Sequence, residues 1–433
     1  MHRRYIIALT LVLIVAGCSS QSSQTSSSTS TSASSGPTTG AATSGATTAN
    51  APAGSVIKIG VDLPVSGADA SIGVPTQYGA QLAVKQANAK NLVPGFTFEA
   101  DVLDDAVNGV HDPAQGAKNI QSFGADPAVL GVIGPFNSNV ARAEIPLSNS
   151  LQLALISPSN TNPTLTKGPD AVAMRRDHPD QIAYFRICTT DDIQGPAGAT
   201  YEFQKLGARK AYVIDDNETY GKGVADQWEA AFVKLGGTSL GHDHITKGQQ
   251  DFHALLTRVA STHPDIVFFG GNSSTGGGLI RKQMPDAGLG NVTYAGADGI
   301  SDNQFLQDAG ATADDVYVTV ASVNATKLPA AAQFLKDYQA EYHQPVGPYS
   351  ANAYTAAMVL INAIGQAVKA NGGKAPTREQ VLQYLRQTKD FPSVVGTFSF
   401  DANGDTTNRI ISFNEAVKGK WVFVTQQNFA AAP

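Results

Sequence analysis

The sequence predicts an α/β protein of two similar lobes, each a doubly wound parallel sheet covered by helices. Three observations lead there. Short β-rich runs alternate with helical patterns along most of the chain, as in successive βα units. Several of those runs are apolar nearly throughout, as strands buried on both faces are. The units also fall into two sets, before and after about Asp191, over a length too great for one ordinary core.

The elements follow in order. Arg3 and Arg4, the apolar run Tyr5 to Val15, and Ala16-Gly17-Cys18 read as a secretory signal. The run is shorter than the roughly 20 residues that span a bilayer. Small residues directly before a cysteine resemble the lipobox of bacterial lipoproteins, which implies a signal peptide over residues 1–18 and lipidation of Cys18 as the mature N-terminus. An ordinary signal peptide cut nearby is the alternative. Anchoring through more than one acyl chain would hold the protein on the extracytoplasmic face of a membrane, and Ser19 does not say which membrane. Residues 19–54 are almost entirely Ser, Thr, Ala and Gly and cannot offset the entropy of ordering, so a disordered tether is expected.

Strands are expected at Val56 to Leu63, Val129 to Ile133, Leu153 to Ile156, Lys210 to Ile214, Asp265 to Phe269, Asn291 to Ala295 and Val316 to Val320. Helical spacing marks Thr76 to Ala89 through Tyr78, Leu82 and Ala83, and Val224 to Leu235 through Trp228, Ala231 and Phe232. Tyr354 to Ala370 is apolar on most sides, as a helix between a sheet and other helices is. A cleft between the lobes, near the carboxyl ends of the strands, is where such architectures bind ligands.

A net charge of −6 and a charged fraction of 15% argue against nucleic acid as a partner. No later stretch has eighteen consecutive apolar residues, so no other membrane span is expected. With Cys18 lipidated, Cys188 has no partner for a disulfide, and its apolar run Tyr184 to Cys188 predicts a buried, inert thiol.

Two loops after strands are candidates for chemistry. Gly134-Pro135-Phe136-Asn137-Ser138 enters a helical pattern near Asn139, which makes Ser138 a candidate N-cap. A helix start offers unpaired N–H groups and a positive dipole end to a ligand carboxylate; equally, the hydroxyl caps only its own helix. Ser157-Pro158-Ser159-Asn160-Thr161-Asn162-Pro163 is dense in hydroxyls and amides and able to aim several donors at one anion, or to be only a turn.

Val132-Ile133-Gly134, Ser138, Ile156-Ser157-Pro158 and Thr161-Asn162-Pro163 together resemble the leucine/isoleucine/valine-binding proteins of branched-chain amino-acid importers. The resemblance runs from Ile57 to about Val424. It includes Pro64-Val65-Ser66-Gly67, Asp191 with Gln194-Gly195-Pro196, Asp215 with Tyr220-Gly221-Lys222-Gly223, Phe269-Gly270-Gly271 and Gly296-Ala297-Asp298-Gly299.

The resemblance implies a type I periplasmic-binding-protein fold with a three-strand hinge. Its first lobe is expected at residues 55–190 plus 324–405 and its second at 191–323 plus 406–433. By the same resemblance Ser138 and Thr161, with neighbouring Asn160, hold a ligand carboxylate, Asp298 meets the ammonium, and Tyr220 walls the cleft. Aromatic positions of the leucine binder's side-chain pocket are taken here by Ile72 and by Asn272-Ser273-Ser274-Thr275, and Asn137 stands where some members have a disulfide cysteine. The function implied is capture of an amino acid or related small zwitterion by a monomeric, lipid-anchored protein that delivers it to ABC permease subunits, without cofactor or covalent chemistry. The alternative partner is a membrane receptor that senses the closed form.

Other motifs lead elsewhere. Gly270 to Gly278 lacks the Gly-Lys-Ser/Thr ending of a phosphate loop, so Gly276-Gly277-Gly278 is read as a helix start packed closely on the sheet. Asp401, Asn403 and Asp405 have the spacing of a calcium loop's opening without its closing glutamate, which leaves a β-hairpin turn. His242 and His244 share one face of a strand, but no third metal ligand is identifiable nearby, so no metal site is expected. No nucleophile-elbow or zinc-protease motif appears, and no enzymatic activity is expected.

Overall fold

The computed structural model describes residues 55–429. The expected signal peptide, Cys18 and tether lie outside the described residues.

The first lobe opens with β1 (Ser55–Leu63), α1 (Ala70–Ala89) and β2 (Phe96–Asp104), then the short hairpin β3 (Ala106–Val107) and β4 (Val110–His111). It continues with α2 (Pro113–Ala125), β5 (Val129–Ile133), α3 (Ser138–Ser150), β6 (Ala154–Ser157), α4 (Gly168–Met174) and β7 (Tyr184–Arg186). Its five main strands are all parallel, in the order β2-β1-β5-β6-β7. Every residue of β5 and β6 is buried, which is why these runs are apolar without alternation.

The second lobe contains α5 (Asp191–Gln204), β8 (Lys210–Asp215), α6 (Thr219–Lys234), β9 (Thr238–His244), α7 (His253–Ser261), β10 (Ile266–Gly270), α8 (Gly277–Gln283), β11 (Thr293–Gly296), α9 (Asn303–Ala309) and β12 (Val316–Val320). The chain returns to the first lobe for α10 (Ala332–Tyr342), α11 (Ser350–Ala370) and α12 (Arg378–Arg386). It then crosses back into the hairpin β13 (Ile410–Val417) and β14 (Lys420–Asn428). The second sheet runs β14-β13-β12-β11-β10-β8-β9, with β13 and β14 antiparallel. This hairpin and strands β2 and β7 were absent from the expected strand list.

α11 is buried along nearly its whole length between α1 and β5. Its N-terminus meets α1 at Gly79, where a β-carbon would fall 2.0 Å from the Ser350 carbonyl oxygen, so a glycine lets the two backbones touch. In the second lobe Trp228 is fully buried, its ring centroid 4.7 Å from Phe232 and 4.5 Å from Phe268. Its indole N–H donates to the buried Glu202 carboxylate, satisfying a donor that burial would otherwise penalise.

Three crossings connect the lobes, and hydrogen bonds hold them side by side. Thr189 N donates to Ala321 O (3.0 Å) and Ser412 Oγ to Ser322 O (2.6 Å). Next to them Arg186, wholly buried, places Nε 2.6 Å from Asp405 Oδ1 and donates from Nη1 to Asn160 O and Asn162 O, each at 2.9 Å. The 401–405 segment is a turn, closed by the Phe400–Thr406 bridge and by Asp401 Oδ1 accepting from Asn403 N and Asp405 N. Gly277 and Gly278 start α8, Gly277 against Ile300 and Phe269 of β10 and Gly278 against the backbone of α9 near Asp308. Among the described residues no helix is long and apolar enough to cross a membrane.

Candidate ligand-binding site

The two polar loops of the first lobe are tied to each other. Ser157 Oγ donates to Pro135 O (2.8 Å), Ser159 Oγ to Phe136 O (3.0 Å) and Asn160 Nδ2 to Phe136 O (2.7 Å). Gly134, at φ +141°, passes so close to β1 that a β-carbon would sit 2.1 Å from Asp62 O; only glycine fits.

Two expectations change here. Ser138 is not the N-cap. That position is held by Asn137, whose side chain makes no capping bond, and Ser138 is the first helical residue of α3, buried at the helix end where N–H groups lack intrahelical partners. Asn160 is a strut of the loop: its Oδ1 accepts from Tyr184 OH (2.9 Å), its Nδ2 is spent on Phe136, and its carbonyl takes Arg186 and the Cys188 thiol (3.1 Å). Asn160 therefore shapes the turn before Thr161.

Thr161 is fully buried, and its carbonyl accepts from Asp191 N at 2.9 Å. Its hydroxyl lies beside the Asp191 carboxylate without a formed hydrogen bond. From the second lobe, Gln194 Nε2 donates to Asp298 Oδ1 (2.6 Å) and Tyr220 OH to the same oxygen (3.2 Å), while Gly299 N donates to Tyr220 OH (2.9 Å). Tyr349, at the start of α11, brings its hydroxyl near Asp298 and stacks edge-on against Phe136, centroids 5.7 Å apart. A β-carbon on Gly299 would lie 2.7 Å from the Tyr220 ring and 2.9 Å from Asn272 Oδ1, so Asn272 borders the same place. Ile72, in the first turn of α1, is buried in the apolar cluster that contains Phe136 and Tyr349.

Thr161, Tyr220, Asn272 and Asp298 thus converge, with Asp191, Gln194 and Tyr349 added by the structure. Asp191 and Gln194 stand in the motif the sequence already marks at the start of α5. Tyr349 sits in Gly347-Pro348-Tyr349, a turn before a long helix, and carried no periodic signal.

The electrostatics are distinctive. Burial raises the Asp298 carboxyl to about 6, with Gln194, Tyr349 and Tyr220 pulling it back. Burial and then repulsion from Asp298 hold Asp191 well above the ordinary carboxylate range. Buried atoms without a partner in the protein gather here: Thr161 Oγ1, both Asp191 oxygens, Gln194 Oε1, Asn272 Nδ2 and Tyr349 OH. Nearly all buried polar atoms in folded proteins are paired, so such a group of orphans marks a polar binding site. A buried carboxylate can hold a cation, and a hydroxyl or a helix start can hold an anion.

Cys188 is buried behind this site and its thiol is pushed well up by burial, consistent with an inert side chain.

The periplasmic binding protein family matches residues 56–420. The chain belongs to this family. It is 32% identical over 369 residues to the Leu/Ile/Val-binding protein BraC3 of Rhizobium johnstonii, covering 84% of this chain and 93% of that protein. A Leu/Ile/Val-binding protein homolog of Brucella melitensis is 30% identical over 356 residues, covering 81% and 89%. Among solved structures, the leucine-binding protein LivK of Thermotoga maritima superposes with a TM-score of 0.74 at 25% identity, over 86% of this chain and 99% of that one. The substrate-binding protein LivJ of Streptococcus pneumoniae, in complex with isoleucine, gives 0.73 at 27%, with the same coverage. A solute-binding protein of R. palustris in complex with benzoate shares the fold at 20% identity, TM-score 0.71, over 87% and 98%. The fold is therefore that of the type I periplasmic binding proteins, which work outside the cytoplasm and bind solutes rather than transform them.

Proposed function

We propose that this periplasmic binding protein captures an α-amino acid, branched-chain or a related small zwitterion, and delivers it to the permease of an ABC importer. One observation supports the reading: the buried Asp298 carboxylate with Tyr220 and Gln194 forms one polar set, and Thr161, beside Asp191, forms another, both with buried polar atoms that have no partner in the protein. An ammonium group satisfies the first set. A carboxylate satisfies Thr161 Oγ1, Ser138 and the N–H groups of the first turn of α3. Tyr220, Asn272 and Ile72 then wall the ligand side chain. The Leu/Ile/Val-binding names of the relatives support the same class.

In this reading the lobes are residues 55–190 with 324–405 and 191–323 with 406–433, and closure is selected because only then do both half-sites contribute. Cys18 carries the lipid anchor, residues 19–54 are the tether, and the protein acts as a monomer.

Because the same fold houses a benzoate binder, the ligand class rests on the site and not on the fold. A thermal-shift screen of the full chain against amino acids, their amides and simple carboxylates separates the possibilities. Stabilisation by a free amino acid, absent with the matching deaminated acid, is the expected result. Stabilisation by carboxylates lacking an amine, and by no amino acid, refutes the zwitterion reading.

A further inference from the structure

A second set of convergent polar side chains lies at the edge of the second lobe's sheet. β9 is the outermost strand, and His242 and His244, two residues apart, share one face of it. β8 runs alongside with Asp215 opposite His244. The fully buried Asp215 receives His242 Nε2 on Oδ2 and His244 Nδ1 on Oδ1, each at 2.7 Å. One ligand atom from each of the three residues lies within 4.8 Å of the others. No third ligand is legible near the two histidines in the sequence because Asp215 precedes His242 by 27 positions and only strand pairing brings it there.

We infer that Asp215, His242 and His244 form a binding site for one divalent transition-metal ion of the zinc class. The donor set, two imidazoles and one carboxylate, suits zinc, cobalt or nickel better than the all-oxygen preference of magnesium or calcium. Glu229 supplies the outer support such sites use: its Oε2 sits 2.8 Å from His242 Nδ1, and its other oxygen accepts from Ser239 Oγ. Held there, His242 keeps its proton on Nδ1, and on metal binding the Nε2 proton that now bridges to Asp215 would leave and free the Nε2 lone pair for the ion.

The geometry needs little change. With bonds of about 2.0–2.1 Å, ligand atoms on a tetrahedral ion stand about 3.3 Å apart, so the 2.7 Å contact to the ligating oxygen of Asp215 opens by roughly 0.6 Å and the other histidine shifts toward that same oxygen. His244, with 45% of its side chain exposed, can make that shift and leaves the fourth position to water. Lys222 does not compete for the carboxylates from within the cluster, being paired with Asp226 at 2.6 Å. Asp215 also accepts from Asn217 N (2.7 Å) and ends β8 just before the loop that carries Glu218 and leads into α6 at Tyr220, so the ion would brace that loop without touching the solute.

The test is a titration of the metal-stripped full chain with Zn²⁺ against a chromophoric chelator, with Co²⁺ absorption reporting coordination. One equivalent is expected to bind, raise Tm, and give a Co²⁺ spectrum of low-coordinate form. His244→Gln, at a half-exposed edge position, should keep the fold by circular dichroism and lose the site. Glu229→Gln should weaken it by about 10–100-fold. Absence of stoichiometric binding by the unaltered chain overturns the inference, as does unchanged affinity in both His244→Gln and His242→Gln.

Discussion

His111 of the first lobe and Glu218 of the second meet at 2.6 Å, Nε2 to Oε2, across the boundary between the lobes. Asp69 takes the other ring nitrogen and the backbone N–H of His111, both at 2.8 Å, and Lys247 reaches Glu218 (3.3 Å) and the His111 carbonyl (3.1 Å). Burial alone would depress this imidazole, but Asp69 and Glu218 outweigh it and hold its pKa at about 10. Burial likewise opposes the ionised Asp69 and Glu218, yet His111 keeps both below their ordinary values.

The pH dependence of this latch follows from those directions. The His111 contribution is complete below its unfolded value of 6.5 and is lost as pH rises through about 10. The Asp69 and Glu218 contributions are present above their unfolded values and are lost as pH falls through the lowered ones. His111→Gln should therefore reduce stability most near neutrality, by about 3–5 kcal/mol, because it strands the buried Asp69 carboxylate and leaves the part-buried Glu218 only Lys247. It should weaken solute binding as well. Urea unfolding at pH 5, 7 and 10.5 checks this; a difference from the unaltered protein that does not shrink at pH 10.5 refutes it.

Asp298→Asn should lower solute affinity by about 30–5,000-fold, corresponding to roughly 2–5 kcal/mol for one member of a buried charge pair. The sign for the ligand-free protein is opposite. A carboxyl raised to about 6 costs stability as pH climbs from 3.8 through 6, so the amide variant should melt no lower than the parent at pH 7.5. Solute affinity of the parent should fall as pH drops below about 6, where Asp298 takes up its proton. Calorimetric titration and melting curves on both proteins measure these effects, and parental affinity in the variant would remove Asp298 from the site.

Asp405→Ala leaves Arg186 buried and uncompensated, and should cost about 3–5 kcal/mol in urea unfolding. Arg186 also holds the carbonyls of Asn160 and Asn162, so the loop carrying Thr161 should loosen and solute affinity should fall. A variant that loses stability but binds solute as before would show that the Arg186 contacts do not position Thr161.

Much of this was legible in the chain, and the limits have physical causes. Fully buried strands announce themselves as apolar runs, which is why Val129–Ile133 and Val316–Val320 have the expected bounds. β2, with the partly exposed run Phe96-Thr97-Phe98-Glu99, alternates instead and was passed over. The hairpin β13–β14 also alternates and turns at Lys418 and Gly419, both at positive φ, a readable signal that was missed. Thr161, Tyr220 and Asp298 are named through the family resemblance, and the fold brings them to one polar cluster. Asn160 is a different case, since an amide in a polar loop looks the same in sequence whether or not it also braces the turn, as its bonds to Phe136 and Tyr184 do here. Tyr349, His111 and Asp215 reached their roles through contacts far apart in sequence, which no local pattern encodes.

The three crossings near Thr189, Ala321 and Ser412 limit what the molecule can do. Backbone running in parallel between the lobes prevents one from sliding or spinning against the other, so the freedom that remains is a swing about a single line. A solute must then be graspable by one rotation, touched first by one wall and last by the other. Residues along that line set how readily the jaws shut, and so tune affinity from a distance, in proportion to the fraction of molecules already poised to bind.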